Sequence, residues 1–270
     1  RGGSTGLTIQ GNWIGVDPTE TVRLGNQGDG VSLASDGVMV GGPDAADGNA
    51  IAFNGLGTTG AGVQLIGAVR HDSILSNRIY GNAGLGINLG NGPTPTHAPP
   101  DAPPDRAVGP NDWVNYPILT TAFADGVLVE ATGRVTGMPG RSYTVQFFWT
   151  RTPDPSGFGE AERYLGQTVV TTDGAGATTF ALPMGSDALG GFLTATSTDE
   201  SGNTSEFALT VLLLPRTDLH VELTADPPSG AQGSPVTFTA TVANRGYLAA
   251  PTTALALALP WGSTVQSITA

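Results

Sequence analysis

Over the first ninety residues the apolar positions come in short bursts: Val31-Ser32-Leu33, Val38-Met39-Val40, Val63-Gln64-Leu65 and Ile87-Asn88-Leu89. Successive side chains of an extended chain point to opposite faces, so each burst predicts a strand with two aliphatics on one side and a spacer on the other. Three bursts follow paired glycines, as GDGVSL at 28–33, GAGVQL at 60–65 and GLGINL at 84–89. Between them runs a second repeat, Asn-x-Ile, at Asn12-Trp13-Ile14, Asn49-Ala50-Ile51 and Asn77-Arg78-Ile79. Strands this short cannot bury a face alone, but they can when each lies on its copy in the next turn of chain. Gly permits tight corners, and Asn tolerates left-handed dihedrals while its amide bonds the equivalent amide one rung away. The pattern predicts coils of a right-handed parallel β-helix over residues 1–92, with Ser32, Gln64 and Asn88 facing out. The unequal hexapeptide spacing places projecting loops at 17–26 and 53–60, and Asp72, where the Asn of Asn-x-Ile would sit, predicts an irregular last coil.

Beyond residue 92 the pattern changes twice. Residues 93–112, PTPTHAPPDAPPDRAVGPND, are too rich in proline to pair as a central strand and are expected to run extended across the open end of the last coil. From 113 to 214 the alternation lengthens into seven runs: PILTTAFA, VLVEATGRVTG, SYTVQFFWTR, LGQTVVTTD, ATTFALPM, GFLTATSTD and SEFALTVLLL. Seven strands in about a hundred residues, joined by turns such as Thr172-Asp173-Gly174, predict an immunoglobulin-like β-sandwich cored by Tyr143, Val145, Phe147 and Trp149. Residues 215–270 open a third unit, with LHVELTADP, VTFTATVANRG, ALALALP and STVQSITA as strand candidates of a truncated further sandwich.

Three segments, GNWIGVDPTETVRLGNQGDGVSL, GNAIAFNGLGTTGAGVQLIGA and SNRIYGNAGLGINLGNG, resemble the last coils of right-handed parallel β-helix repeat proteins, pectate-lyase-like solenoids found in large bacterial exported and surface polypeptides. NDWVNYPILTTA and TSTDESGNTSEF resemble the sandwich that commonly follows such coils, and the third unit resembles the opening strands of a bacterial surface repeat. The resemblance implies an all-β, multidomain segment of a secreted or cell-surface bacterial protein, whose partners are extracellular polysaccharide, cell-surface components or neighbouring domains of the same chain. A structural or adhesive role is the first expectation. The alternative is the tail of a carbohydrate-active enzyme, a polysaccharide lyase or glycosidase, whose active coils lie upstream.

Composition narrows the partners. With 11 basic and 23 acidic residues the net charge is -12, which repels phosphate backbones and argues against nucleic acid. Forty Gly and twenty Pro fit many turns, and no amphipathic helical period survives between them. The absence of cysteine removes disulfides and thiolate chemistry, and no apolar run is long enough for a membrane span.

Catalytic residues are not expected. Asp17, Glu20, Asp29, Asp36 and Asp72, with Arg70 and Arg78, are the acids and bases of the predicted coils, but they form none of the paired elements of pectin-degrading enzymes. Asp17-Pro18 and Asp36-Gly37 read as turn initiators. Arg70-His71-Asp72 are strand neighbours that point to alternate faces, and His97 and His220 lie far off in sequence, so zinc is not expected. The most metal-like stretch runs from Asp199 to Glu206, where Asp199, Asn203 and Glu206 could hold calcium around a glycine turn, with Glu160 added from the 154–162 loop. A hairpin demands the same Ser-Gly-Asn sequence without any metal. Trp13, Phe158 and Tyr164 are the aromatics that could stack on sugar rings.

Overall fold

The computed structural model describes residues 6–57, 59–90, 92–93, 95, 109–185, 190–229, 231, 233–246, 248–258 and 263–268. The fold is all-β and divides into two compact units, Arg1–Arg216 and Thr217–Ala270. His97 and most of the proline-rich stretch lie outside the described residues.

The first half of the larger unit has nine short strands: β1 (Thr8–Ile9), β2 (Trp13–Ile14), β3 (Val31–Leu33), β4 (Met39–Gly41), β5 (Ala50–Ala52), β6 (Val63–Leu65), β7 (Ser73–Leu75), β8 (Arg78–Tyr80) and β9 (Ile87–Asn88). They form three parallel three-stranded sheets, β1-β4-β7, β2-β5-β8 and β3-β6-β9, so the chain visits each sheet once per turn and returns one rung along. Register stacks like on like: Ile9 on Val40 on Ile74, Ile14 on Ile51 on Ile79, and Val31 on Val63 on Ile87. Val40, Ile51, Val63 and Ile79 are fully buried between the sheets, and each such side chain contributes about 1.5–3 kcal/mol.

The paired glycines follow from this stacking. A Cβ on Gly30 would stand 2.7 Å from the carbonyl of Gly62, and one on Gly62 would stand 2.6 Å from the carbonyl of Gly86 and 2.4 Å from the Ile79 side chain. The second glycine of each of the first two hexapeptides is therefore the point where adjacent turns touch backbone to backbone. The asparagines knit the same turns together. Asn12 donates its backbone N–H to Asn49 Oδ1, and Asn49 does the same to Asn77, at 3.0 Å in each case. A second ladder runs from Asn26 through Asn54 to Asn82.

The second half of this unit has the seven anticipated strands: β10 (Ile118–Ala124), β11 (Leu128–Thr136), β12 (Ser142–Thr150), β13 (Arg163–Thr171), β14 (Ala177–Gly185), β15 (Phe192–Asp199) and β16 (Val211–Pro215). They form one sheet, β13-β12-β15-β16-β10-β11-β14, which curls until its terminal strands β13 and β14 are neighbours, giving a nearly closed, barrel-like sheet. Tyr143, Val145 and Phe147 fill its core with Leu193, Phe180 and Leu213, and Trp149 packs at the margin. The other face of β12 is buried too, because Gln146, Phe148 and Thr150 are covered as completely as their neighbours. At the exit of the barrel Arg216 pairs with Asp125 and Glu130.

In the smaller unit, β17 (Leu219–Asp226) and β18 (Thr237–Asn244) form an antiparallel hairpin. The two further strands expected there do not form over 254–258 and 263–268. Alternation makes a strand only where a neighbour supplies the ladder, and among the described residues no third strand joins this hairpin. No helix among the described residues is long and apolar enough to cross a membrane.

Candidate functional site at the closed end of the stack

A stack of parallel turns ends in a row of backbone N–H groups with no next turn to receive them, and leaving such donors buried and unpaired costs about 1–3 kcal/mol each. Here the barrel receives them. On the first sheet His71 N–H donates to Asn203 Oδ1 at 2.7 Å, and Ile74 N–H donates to Thr204 Oγ1 at 2.9 Å. At the following corner Ser76 N–H donates to Gln146 Oε1 at 2.9 Å, and the Gln146 amide returns a bond to Ser76 Oγ. On the second sheet Ile79 exchanges two backbone bonds with Ala161, each 2.8 Å, and Gly81 and Asn82 donate to the Glu160 carboxylate. On the third, Leu89 N–H donates to Glu206 Oε1 at 3.0 Å.

These acceptors stand where a further turn would be, and apolar side chains do the same. Phe148, Ala161 and Phe207 belong to the same buried cluster as the aliphatics of the stack. The Phe148 and Phe207 rings meet edge to face at 5.5 Å. Phe207 lies where a Cβ on Gly86 would be, 2.8 Å away, so it takes the place the next hexapeptide would occupy.

The proposed calcium residues are part of this closure. Asp199 Oδ1 accepts the N–H groups of Ser201 and Asn203 and its Oδ2 accepts from the Asn203 amide, a self-contained turn. Asn203 Oδ1 and Glu206 Oε1 receive His71 and Leu89, which lie on different sheets of the stack. Glu160 faces Gly81 and Asn82 instead. Among the described residues no group of three or more His, Cys, Asp or Glu is placed to hold a metal ion. With these oxygens already engaged, the melting midpoint is expected to be the same in millimolar calcium and in chelator; a rise of several degrees with calcium would show that the loop rearranges to bind it.

Asp72, expected to mark an irregular coil, instead continues a ladder of its own. Its Oδ1 accepts Val38 N–H at 2.8 Å, and its own N–H donates to Asn111 Oδ1 at 3.1 Å. Asn111 comes from the end of the proline-rich stretch, and its amide bonds the carbonyls of both Asp72 and Thr204. Among the described residues, the open end that this stretch was expected to cover is met by barrel residues together with Asn111; residues 96–108, on which most of that expectation falls, lie outside the described residues.

The remaining sequence candidates disperse. Arg70 pairs with Asp112 at 2.7 Å, His71 Nδ1 lies 3.1 Å from the Ser201 carbonyl, and Asp72 is buried, so the three do not converge. Asp29 and Asp36 accept the Ala61 and Arg70 N–H groups from the next turn. Asp17 folds its own loop, and the Thr19 hydroxyl and Val22 N–H on its carboxylate pull it down to about 2. Glu20 pairs with Arg78 and accepts the Tyr80 hydroxyl, strapping the 16–24 loop over the outer face of β2-β5-β8, where Val16 is buried against Ala50 and Ala52. The Arg78 guanidinium holds Glu20 below the usual carboxylate range. Of the three aromatics, Phe158 packs on Tyr116 and Tyr164 on Phe148, leaving Trp13 half exposed.

Sequence reasoning missed Gln146, Phe148, Ala161, Phe207 and Thr204 as one constellation. One signal for it was present in Val145-Gln146-Phe147-Phe148-Trp149, whose adjacent aromatics break strict alternation and mark a strand covered on both faces. The chain matches no family model and no curated protein.

Proposed function

We propose that residues 1–216 are the closing coils of a right-handed parallel β-helix sealed by a barrel-like sheet with the seven strands of an immunoglobulin-like domain, and that they work as a rigid structural or adhesive segment spacing the modules of a secreted or cell-surface bacterial protein. The observation that carries this reading is the seam itself: an unbroken hydrophobic cluster and a matched set of hydrogen bonds join stack to barrel. A spacer must transmit force without yielding at its joints, and a joint built like the interior of a domain meets that need. The polar side chains of the stack are spent on ladders and turn closure, which fits a scaffold better than a reaction centre. Extracellular polysaccharide or cell-surface components are the partners this reading implies.

Pulling the chain from its ends tests the reading. Residues 1–216 should yield in one event that releases roughly 700 Å of contour, at about 3.3–3.6 Å per residue. Two separate events, each near half that length, would refute the rigid joint. New reducing ends or unsaturated products released from a polysaccharide panel by this chain would favour the enzyme-tail alternative.

A further inference from the structure

The seam holds more buried acid than its architecture needs. Asp72 is fully buried on the stack side, and its Oδ2 has no hydrogen-bond partner among the described residues. Glu160 is buried on the barrel side, where Gly81 and Asn82 of the last turn donate to it. Glu206 is buried a sheet away. The groups around Asp72 are Asp36, His71 and the Arg70–Asp112 pair; those around Glu160 are Asp154 and Glu162. Neither carboxyl has an ion-pair partner among the described residues. Elsewhere the ladder position of Asp72 is filled by Asn49, Asn54, Asn77 or Asn82, whose Nδ2 donates to a carbonyl of the preceding turn. An aspartic acid can match that pattern only while it carries a proton.

We propose that the seam between the last turn of the stack and the barrel is a pH-sensitive joint, tight in mildly acidic surroundings and loosened above neutrality by ionisation of Asp72 and Glu160. Burial pushes Asp72 up to about 6, with Asp36 adding to the rise, and pushes Glu160 up to about 7, with Asp154 and Glu162 adding. Both carboxyls thus bind more protons folded than unfolded over the interval from their ordinary range near 4 to these raised values. Stability from each is complete below that interval and is lost as the pH climbs through it.

Hydrogen exchange on the intact chain reads this directly. After correction for intrinsic chemistry, the amides of Ile74 and Ile79 should open on the order of ten times more often at pH 8 than at pH 5.5, since each unit of raised pKa carries a factor of ten. The amides of Val40 and Val63, inside the stack, should change far less. Glu160→Gln should flatten the dependence at Ile79, and Asp72→Asn, which restores the ladder amide, should flatten it at Ile74. Equal protection of the seam in the wild-type chain at both pH values would overturn the proposal, as would equal loosening at Val63. So would a pH dependence that survives in both folded variants; the wild-type comparison decides alone if a variant fails to fold.

Discussion

Replacing Phe148 by alanine is expected to lower the melting midpoint of the larger unit by about 10 °C. The ring lies on the outer face of β12, fully buried, edge to face with Phe207 and against Tyr164, and it belongs to the core of the stack rather than that of the barrel. Truncating a buried phenylalanine costs about 3–5 kcal/mol, and a unit of this size loses roughly 2–4 °C per kcal/mol. The cost falls on the joint, so tryptophan fluorescence and circular dichroism should cease to report a single transition. Phe147, its neighbour, points into the barrel core. Phe147→Ala should cost as much yet keep the transitions coincident at a lower midpoint. Calorimetry of the two variants side by side distinguishes them, and identical traces would mean that stack and barrel are not coupled through Phe148.

Asn54→Ala should be the most damaging change within the stack. Asn54 Oδ1 accepts both the backbone and the side-chain N–H of Asn26, while its amide bonds Asn82 Oδ1 and the carbonyls of Ile14 and Ala52. Removing it strands several buried polar groups at once, at about 1–3 kcal/mol for each, so a loss of about 3–5 kcal/mol is expected from denaturant titration. Asn12, at the exposed end of the parallel ladder, gives the control: its amide donates to Gln10 O of the same turn and to Asn49 Oδ1. Asn12→Ala should cost less than about 1 kcal/mol, because water can replace what is lost. Equal costs at the two positions would refute the ladder account.

Much of this was legible in the residues. The aliphatic pairs of the hexapeptides and the Asn-x-Ile repeat carry the period of the stack, because register in a parallel ladder forces the same residue into the same place on every turn. The seven runs of the barrel were equally plain, since each strand is long enough to show its alternation. What stayed hidden depends on contacts more than a hundred residues apart. His71 meets Asn203, and Leu89 meets Glu206, through pairings that no local pattern encodes. Asp199, Asn203 and Glu206 are oxygen-rich side chains around a glycine, and such a pattern looks the same whether it holds a cation, closes its own turn as Asp199 does, or receives backbone N–H groups as Asn203 and Glu206 do. Gln64 and Asn88 were expected to face out, yet both are buried, and Gln64 bonds the carbonyls of Leu65, Asn88 and Gly90.

The closure at the end of the stack also bears on how such a chain can change length over generations. Among the described residues its hydrogen bonds reach only 69–89, the final turn. Duplication or deletion of a whole turn upstream leaves every one of those bonds in place, provided the inserted segment keeps the asparagine and glycine period. A gain of one residue inside the final turn has no such freedom, for it shifts donors away from acceptors fixed in another sheet. Variation in this architecture is thereby channelled into whole-turn steps on one side, with the terminal turn and its cover inherited as a single block.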